Sequence, residues 1–230
     1  MDYFIWVLQQ GDEVILIDTG YDAAEAQIRD RPIRRDPGEA LAPLGLTPDD
    51  ITTLIVTHLH FDHAGWLQLF PNATLQLQTS EMAFATGPCM CHDTLRMPYT
   101  AGHICEAIKR LYAGRVIFND GDGHVADGVT VHRIGGHSSG LQAVRVKTTE
   151  GYMCLASDAA HYYENAFSNK PFPIVVDVED MLEGFRKIVS LASSPKLMIP
   201  GHDPLVRQIF PEGPSDFIHR LDKGPARWPF

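Results

Sequence analysis

The chain has 230 residues, 44% hydrophobic and 21% charged, which suits a soluble globular protein with a sizeable core. Its formal net charge of −10 speaks against a nucleic-acid partner, because neutralising phosphates takes clustered Lys and Arg. No apolar run approaches the ~20 residues that span a bilayer, and Met1–Leu8 lacks the basic flank and cleavage site of a signal peptide, so a cytoplasmic protein without a membrane partner is expected.

Taken in chain order, Tyr3–Leu8 and Glu13–Asp18 read as strands joined by a turn at Gln10-Gly11-Asp12. Ala23–Arg29 reads as a short helix, Asp30–Pro37 as a charged loop, and Gly38–Leu44 as a helical turn that Pro43 disfavours. Thr53–Thr57 is β-branched and apolar throughout, the pattern of a buried strand. Thr74–Gln78 alternates like a strand, and Ser80 is a candidate N-cap for a helix from Glu81. Thr100–Tyr112 has helical spacing at Ile104, Ile108 and Leu111. Strands are predicted over Arg115–Phe118, Val129–Ile134, Gln142–Lys147, Tyr152–Ala156 and Lys196–Ile199. Asp177–Ser190 is the clearest helix, with Val178, Met181, Leu182, Phe185 and Ile188 on one face. About ten strands and four or five helices in this order fit an α/β fold of two packed sheets with outer helices. Without a repeat or a linker, one domain over 1–230 is expected, ending in an irregular surface tail over 220–230.

The four cysteines, Cys89, Cys91, Cys105 and Cys154, offer C-x-C but no second pair at zinc-finger spacing. Free thiols in a reducing compartment are expected.

The chemistry concentrates in Thr57-His58-Leu59-His60-Phe61-Asp62-His63, four potential ligands within six residues after a buried strand. Imidazoles crowded on one loop repel each other when protonated, and a divalent cation that binds the neutral rings removes the conflict. Imidazole with carboxylate suits zinc and also admits manganese, iron or cobalt. Three further segments place a His or Asp just past a strand: Gly136-His137, Ser157-Asp158 and Gly201-His202. Each alone is an ordinary turn. In this order, after the first motif, they point to a metal centre.

The succession H-x-H-x-D-H, G-H-x-x-G, S-D and G-H resembles the metallo-β-lactamase superfamily over about Ile15 to Pro204. The resemblance implies an αβ/βα four-layer sandwich of two mixed sheets. It implies two divalent metal ions, zinc by preference: one on His58, His60 and His137, the other on Asp62, His63 and His202, with Asp158 bridging. Asp18-Thr19-Gly20 matches the family's early D-T-G turn, whose Asp orients a ligand histidine. The helical C-terminal domain of glyoxalase II is not expected here, since 28 residues follow His202. The family's processing nucleases are longer, and a −10 charge sits badly with RNA.

The N-acyl homoserine lactone lactonases are most similar, because Asp158-Ala159-Ala160-His161-Tyr162-Tyr163-Glu164-Asn165 resembles their D-A-S-Y-x-x-E-N stretch. Those enzymes place a substrate-facing Tyr where this chain has His161, so the oxyanion-stabilising role falls to His161 or Tyr162, or to neither. The implied reaction is lactone or ester opening by a metal-bridging hydroxide, with Asp62 passing a proton to the leaving alkoxide. Phe61, Trp66, Met82, Phe84, Met90 and Phe167 are candidates for an acyl pocket, although aromatic and Met residues near a motif are more often core. The rivals are a thioesterase, arylesterase or phosphodiesterase on the same site, a mononuclear iron oxygenase of the same fold, and a non-catalytic metal-binding protein. The family usually carries some tens of residues ahead of the first hairpin, which leaves an N-terminal truncation open. The sequence also leaves open a homodimer.

Overall fold

The alternating, β-branched segments become ten strands in a computed structural model that describes residues 1–230. Contacts group the chain into two compact units, Tyr3–Asn119 and Met1–Asp2 with Asp120–Phe230.

The unit Tyr3–Asn119 opens with the hairpin β1 (Trp6–Gln10) and β2 (Glu13–Ile17), turned at Gly11 with φ +60°. The sequence pattern starts β1 at Tyr3. The strand begins at Trp6 instead, because its partner across the ladder is Ile17 and the chain then turns away at Asp18, φ +58°. Helix α1 (Ala23–Ile28) is capped by Asp22, which accepts from Glu25 N–H. Helix α2 (Pro37–Leu41) has Pro in its first turn and a reciprocal cap between Asp36 and Glu39. Pro43 lies in the 3-10 turn that ends it.

Strands β3 (Thr53–Ile55) and β4 (Thr74–Gln78) follow, then α3 (Thr79–Ala85), α4 (Asp93–Arg96), α5 (Ala101–Tyr112) and β5 (Val116–Asn119). Ser80 does not cap α3. The helix starts two residues earlier, at Thr79 with Gln78 in the N-cap position, and the Ser80 hydroxyl is buried inside it without a hydrogen-bond partner. The sheet runs β1-β2-β3-β4-β5, antiparallel in the first pair and parallel thereafter. Leu16, Leu41, Leu54, Leu59, Phe70 and Leu75 form the centre of its core.

The unit Asp120–Phe230, with Met1–Asp2, holds β6 (Gly123–Ala126), β7 (Val129–Arg133), β8 (Gln142–Thr148), β9 (Gly151–Ser157), α6 (Tyr163–Ser168), α7 (Val178–Leu191), β10 (Met198–Pro200) and α8 (Leu205–Ile209). The order is β10-β9-β8-β7-β6, with only β10 and β9 parallel. Arg133 pairs with Gln142 and Leu155 with Val144, so β7, β9 and β10 all end at one edge of this sheet. Helix α7 starts where its periodicity predicts, with Asp177 as N-cap. Helices α6 and α8 and strand β6 have no counterpart in the sequence reading, being short or broken by Gly and Pro. The predicted tail is irregular apart from one 3-10 turn, but it is not merely draped on the surface: Trp228 meets Tyr163 edge-on at 5.3 Å and Phe230 lies 5.5 Å from Phe167. The expected α/β class, two mixed sheets with helices, is borne out. No helix is long and apolar enough to cross a membrane.

Candidate metal centre

Between β3 and the turn at Leu67–Leu69 the chain lays out the four predicted ligands of its first half. His63 and Ala64 N–H both return to His60 O, at 3.1 and 3.2 Å, so the segment folds as a tight turn. The imidazoles of His58 and His60 lie 4.4 Å apart and those of His58 and His63 4.1 Å apart. All three are buried. Asp62 is more open, its Oδ1 3.9 Å from His63 Nε2.

The turn Asp18-Thr19-Gly20 holds this loop. The Asp18 carboxylate accepts from Thr57 N–H at 2.7 Å and from Thr57 Oγ1 at 2.8 Å, and its Oδ2 meets His63 Nδ1 at 2.8 Å. Thr19 donates twice to His63 O, at 2.8 and 3.0 Å. Gly65 is required here, since a Cβ would stand 2.6 Å from Gly20 O and Asp22 N. The Thr57 hydroxyl spends its proton on Asp18, so it can only accept from His58 Nδ1, 3.2 Å away. Both rings therefore donate from Nδ1 and carry their lone pair on Nε2. The expected orienting role of Asp18 is what this geometry provides.

His60 is steadied from another side. It forms a β-bridge with Tyr99, whose ring stands edge-on to it at 4.6 Å. The fully buried Glu81 accepts from Leu59 N–H at 2.9 Å and from Tyr99 Oη at 3.0 Å.

The other unit gathers His137, Asp158, His161 and His202, all buried, at the common edge where β7, β9 and β10 end. Ser157 adopts φ +48°, an uncommon conformation for a residue with a side chain, and this turns Asp158 out of β9. Gly136, at φ +82°, lies so close to α7 that a Cβ would stand 2.6 Å from Met181 N. Gly201 makes room for the acid itself: a Cβ there would stand 2.7 Å from Asp158 Oδ1. The Asp158 carboxylate is 3.2 Å from His137 Nε2, 3.2 Å from His161 Nε2 and 2.9 Å from His202 Nε2. His137, Asp158 and His161 have the spacing of a group that could hold a metal ion.

Donor chemistry decides what fits. His137 Nδ1 lies 2.8 Å from Ile174 O and His202 Nδ1 lies 2.8 Å from Asp2 O. A carbonyl only accepts, so both Nδ1 atoms carry the proton and both Nε2 lone pairs face a carboxylate. Lone pair against carboxylate is repulsive, and a cation among them turns the repulsion into coordination. Imidazole nitrogens with carboxylate oxygens are a donor set for zinc or a similar divalent ion.

Burial, opposed by the Asp158 charge, pushes His161 down to about 4. Tyr162 is half-buried, and burial, then Asp203 and Asp2, raise its hydroxyl above the usual tyrosine range. Met82 belongs to the core of the first unit, and Trp66, Phe84 and Met90 pack against it. Phe167 stacks on Tyr163, and Phe61 carries the Arg29 guanidinium 3.7 Å over its ring. Sequence reasoning missed Ile174 O and Asp2 O, which are backbone atoms and leave no mark in a motif. It also missed Glu81, Tyr99 and Phe172. Only Glu81, an acid amid apolar residues, carried a signal.

The metallo-beta-lactamase superfamily model matches residues 2–202. An N-acyl homoserine lactonase of Bacillus cereus is 28% identical over 214 residues, 86% of this chain and 80% of its own. A solved quorum-quenching N-acyl homoserine lactone hydrolase is 26% identical with a TM-score of 0.68, covering 88% of this chain and 80% of that one. Another, solved with N-hexanoyl-L-homoserine at its catalytic metal centre, is 25% identical with a TM-score of 0.69, covering 89% and 82%.

Proposed function

Because this chain belongs to the metallo-beta-lactamase superfamily, we propose that it is a metal-dependent hydrolase that opens the ring of an N-acyl homoserine lactone or a close ester. The observation that carries this reading is the set of Nε2-facing histidines, each with Nδ1 held by an acceptor, in a chain akin to lactonases over most of its length. The whole of 1–230 is read as one hydrolase domain, in line with a family match that spans both units.

In this reading His58, His60 and His137 hold one divalent ion. Asp62, His63 and His202 would hold the other, with Asp158 shared between the two. Zinc is the proposed metal, because imidazole and carboxylate ligands suit it. When bound, the ions supply Lewis-acid polarisation of the carbonyl and a water acidic enough to attack at neutral pH.

The chain's own residues do the rest. Asp18 and Thr57 keep His58 and His63 in the ligating tautomer. Asp62, the most open of the carboxylates near the histidines, takes the proton released on attack and delivers it to the leaving alkoxide oxygen. Tyr162 keeps its phenolic proton at neutral pH, so it is the group proposed to donate a hydrogen bond to the tetrahedral oxyanion. The four free cysteines favour a reducing compartment, and the cytoplasm is the location proposed.

A second reading, an arylesterase or thioesterase on the same site, is favoured by one observation: residue 161 is a histidine turned onto Asp158, not a phenol. The test is elemental analysis of purified protein followed by pH-stat assay on acyl homoserine lactones, aryl esters and thioesters. Proton release on the lactones by metal-loaded protein is expected. Confirmed metal with no lactone opening at high enzyme concentration removes the lactonase reading.

A further inference from the structure

We infer that His161 donates a hydrogen bond from Nε2 to Oδ2 of Asp158 and so acts as a positioning residue for that carboxylate, neither a metal ligand nor an oxyanion donor. This deepens the metal-hydrolase reading and rests on it.

Three imidazoles face the Asp158 carboxylate, and distance alone does not separate them. His137 and His161 Nε2 both lie 3.2 Å from Oδ2, and His202 Nε2 lies 2.9 Å from Oδ1. The far nitrogen does separate them. His137 Nδ1 has Ile174 O as its acceptor and His202 Nδ1 has Asp2 O, both at 2.8 Å. Those two rings are built as metal ligands, with the proton fixed on Nδ1 and the lone pair on Nε2. His161 Nδ1 is buried and has no hydrogen-bond partner. Were Nε2 to bind a metal, the single ring proton would sit on Nδ1, a buried donor with nothing to accept it. With the proton on Nε2 it meets an ionised oxygen, a charge-assisted bond.

The plane of the ring is held by packing. It lies flat on Phe172, centroids 3.7 Å apart and planes 11° apart, and it is 3% exposed. Its backbone is tied to the next ligand segment, since His202 N–H donates to His161 O at 3.0 Å and Gly201 N–H to Ala160 O at 2.9 Å. The Asp158 carboxylate is thus clasped from two sides. Gly201 leaves just enough room at Oδ1, and His161 binds Oδ2. One lone pair of Oδ2 is taken up by His161, and the remaining ones keep a fixed aim.

The experiment pairs 15N imidazole NMR of the wild-type protein, metal-free and zinc-loaded, with zinc content and chelator-competition affinity of His161→Gln and His161→Leu. Glutamine keeps an N–H donor without offering an imidazole. Expected are an Nε2–H tautomer for His161 in both wild-type states, two zinc ions with unchanged affinity in H161Q, and affinity lowered about 10- to 100-fold in H161L, the usual cost of losing such a partner. An Nδ1–H tautomer, or loss of the Nε2–H signal on zinc loading with H161Q as weak as H161L, overturns the inference and makes His161 a ligand. A protein that takes up no zinc refutes the hydrolase reading instead, and the metal-free tautomer still decides the His161–Asp158 bond.

Discussion

Asp2 and His202 are joined twice across 200 positions of sequence: His202 Nδ1 lies 2.8 Å from Asp2 O, and Asp2 N–H donates to His202 O at 2.9 Å. The contact uses Asp2 backbone only. Deleting Met1–Asp2 therefore removes the acceptor that fixes the His202 tautomer, and metal affinity should fall about 10- to 100-fold. Asp2→Ala keeps the carbonyl and loses only the half-exposed pair with Arg207, 2.7 Å, worth under about 1 kcal/mol. Chelator competition on the two variants checks this. Equal affinity in the deletion and the wild type would show that Asp2 does not orient the ring.

Asp18 serves three hydrogen bonds from a left-handed backbone conformation. Asp18→Ala leaves Thr57 N–H without its buried acceptor and puts alanine at φ +58°, so unfolding free energy should drop by about 3 kcal/mol. Asp18→Asn tolerates that φ and can still accept from Thr57. It should therefore recover most of the stability while holding His63 less firmly and binding metal more weakly. Thermal unfolding of the metal-free variants separates backbone cost from ligand cost.

The strands and long helices were legible in the sequence because a buried face imposes a period: Thr74–Gln78 matches β4 to the residue, and α7 starts one residue after the Asp177 that caps it. The proposed ligand motif was legible because His58, His60, Asp62 and His63 crowd six positions, and Asp18 because it sits in a recognisable D-T-G turn. What supports the other histidines was not legible. Ile174 and Asp2 contribute carbonyls that any residue would supply. Phe172 matters through a stacking distance, and Ser80 failed as a cap because β4 runs into α3 without the extra turn a serine cap needs.

Gly201 is a packing requirement on the site rather than a flexible joint, since its φ is not in the left-handed region. A methyl group at 2.7 Å from Asp158 Oδ1 and 2.8 Å from the Ser157 carbonyl carbon must displace backbone or carboxylate. Gly201→Ala should bind metal at least about 10-fold more weakly, as displaced ligands and their supports usually do. Metal content after gel filtration reads the effect directly. A fully loaded variant with wild-type affinity would mean that Asp158 has room to move.

Thiol chemistry should split the four cysteines. Cys154 is fully buried in β9, and desolvation, only partly offset by the Arg145 charge, pushes its thiol up to about 12. A raised thiol pKa keeps the protonated, unreactive form through neutral and mildly alkaline pH. Cys89, Cys91 and Cys105 reach solvent. Native protein at pH 8 should therefore release three equivalents of thionitrobenzoate from Ellman's reagent, and a fourth only in denaturant. Rapid release of four in native buffer would place Cys154 outside its buried site.

Arg110 tests the fold rather than the chemistry. It is 1% exposed and donates to three carbonyls of the segment leading into β4: Leu67 O at 2.5 Å, Phe70 O at 2.8 Å and Ala73 O at 2.9 Å. Leu67 O and Phe70 O each also accept a backbone N–H, from Phe70 at 3.2 Å and from Ala73 at 3.3 Å, so there the guanidinium supplies a second hydrogen bond. A planar fork can reach all three at once, whereas lysine offers a single nitrogen. Arg110→Met fills the volume but strips the donors, and with two of the three carbonyls still paired to backbone the loss should be about 2 kcal/mol. Arg110→Lys should recover only part of it. Denaturant unfolding with unchanged slope measures both. A methionine variant within about 1 kcal/mol of wild type would mean that water reaches the three carbonyls once the arginine is gone.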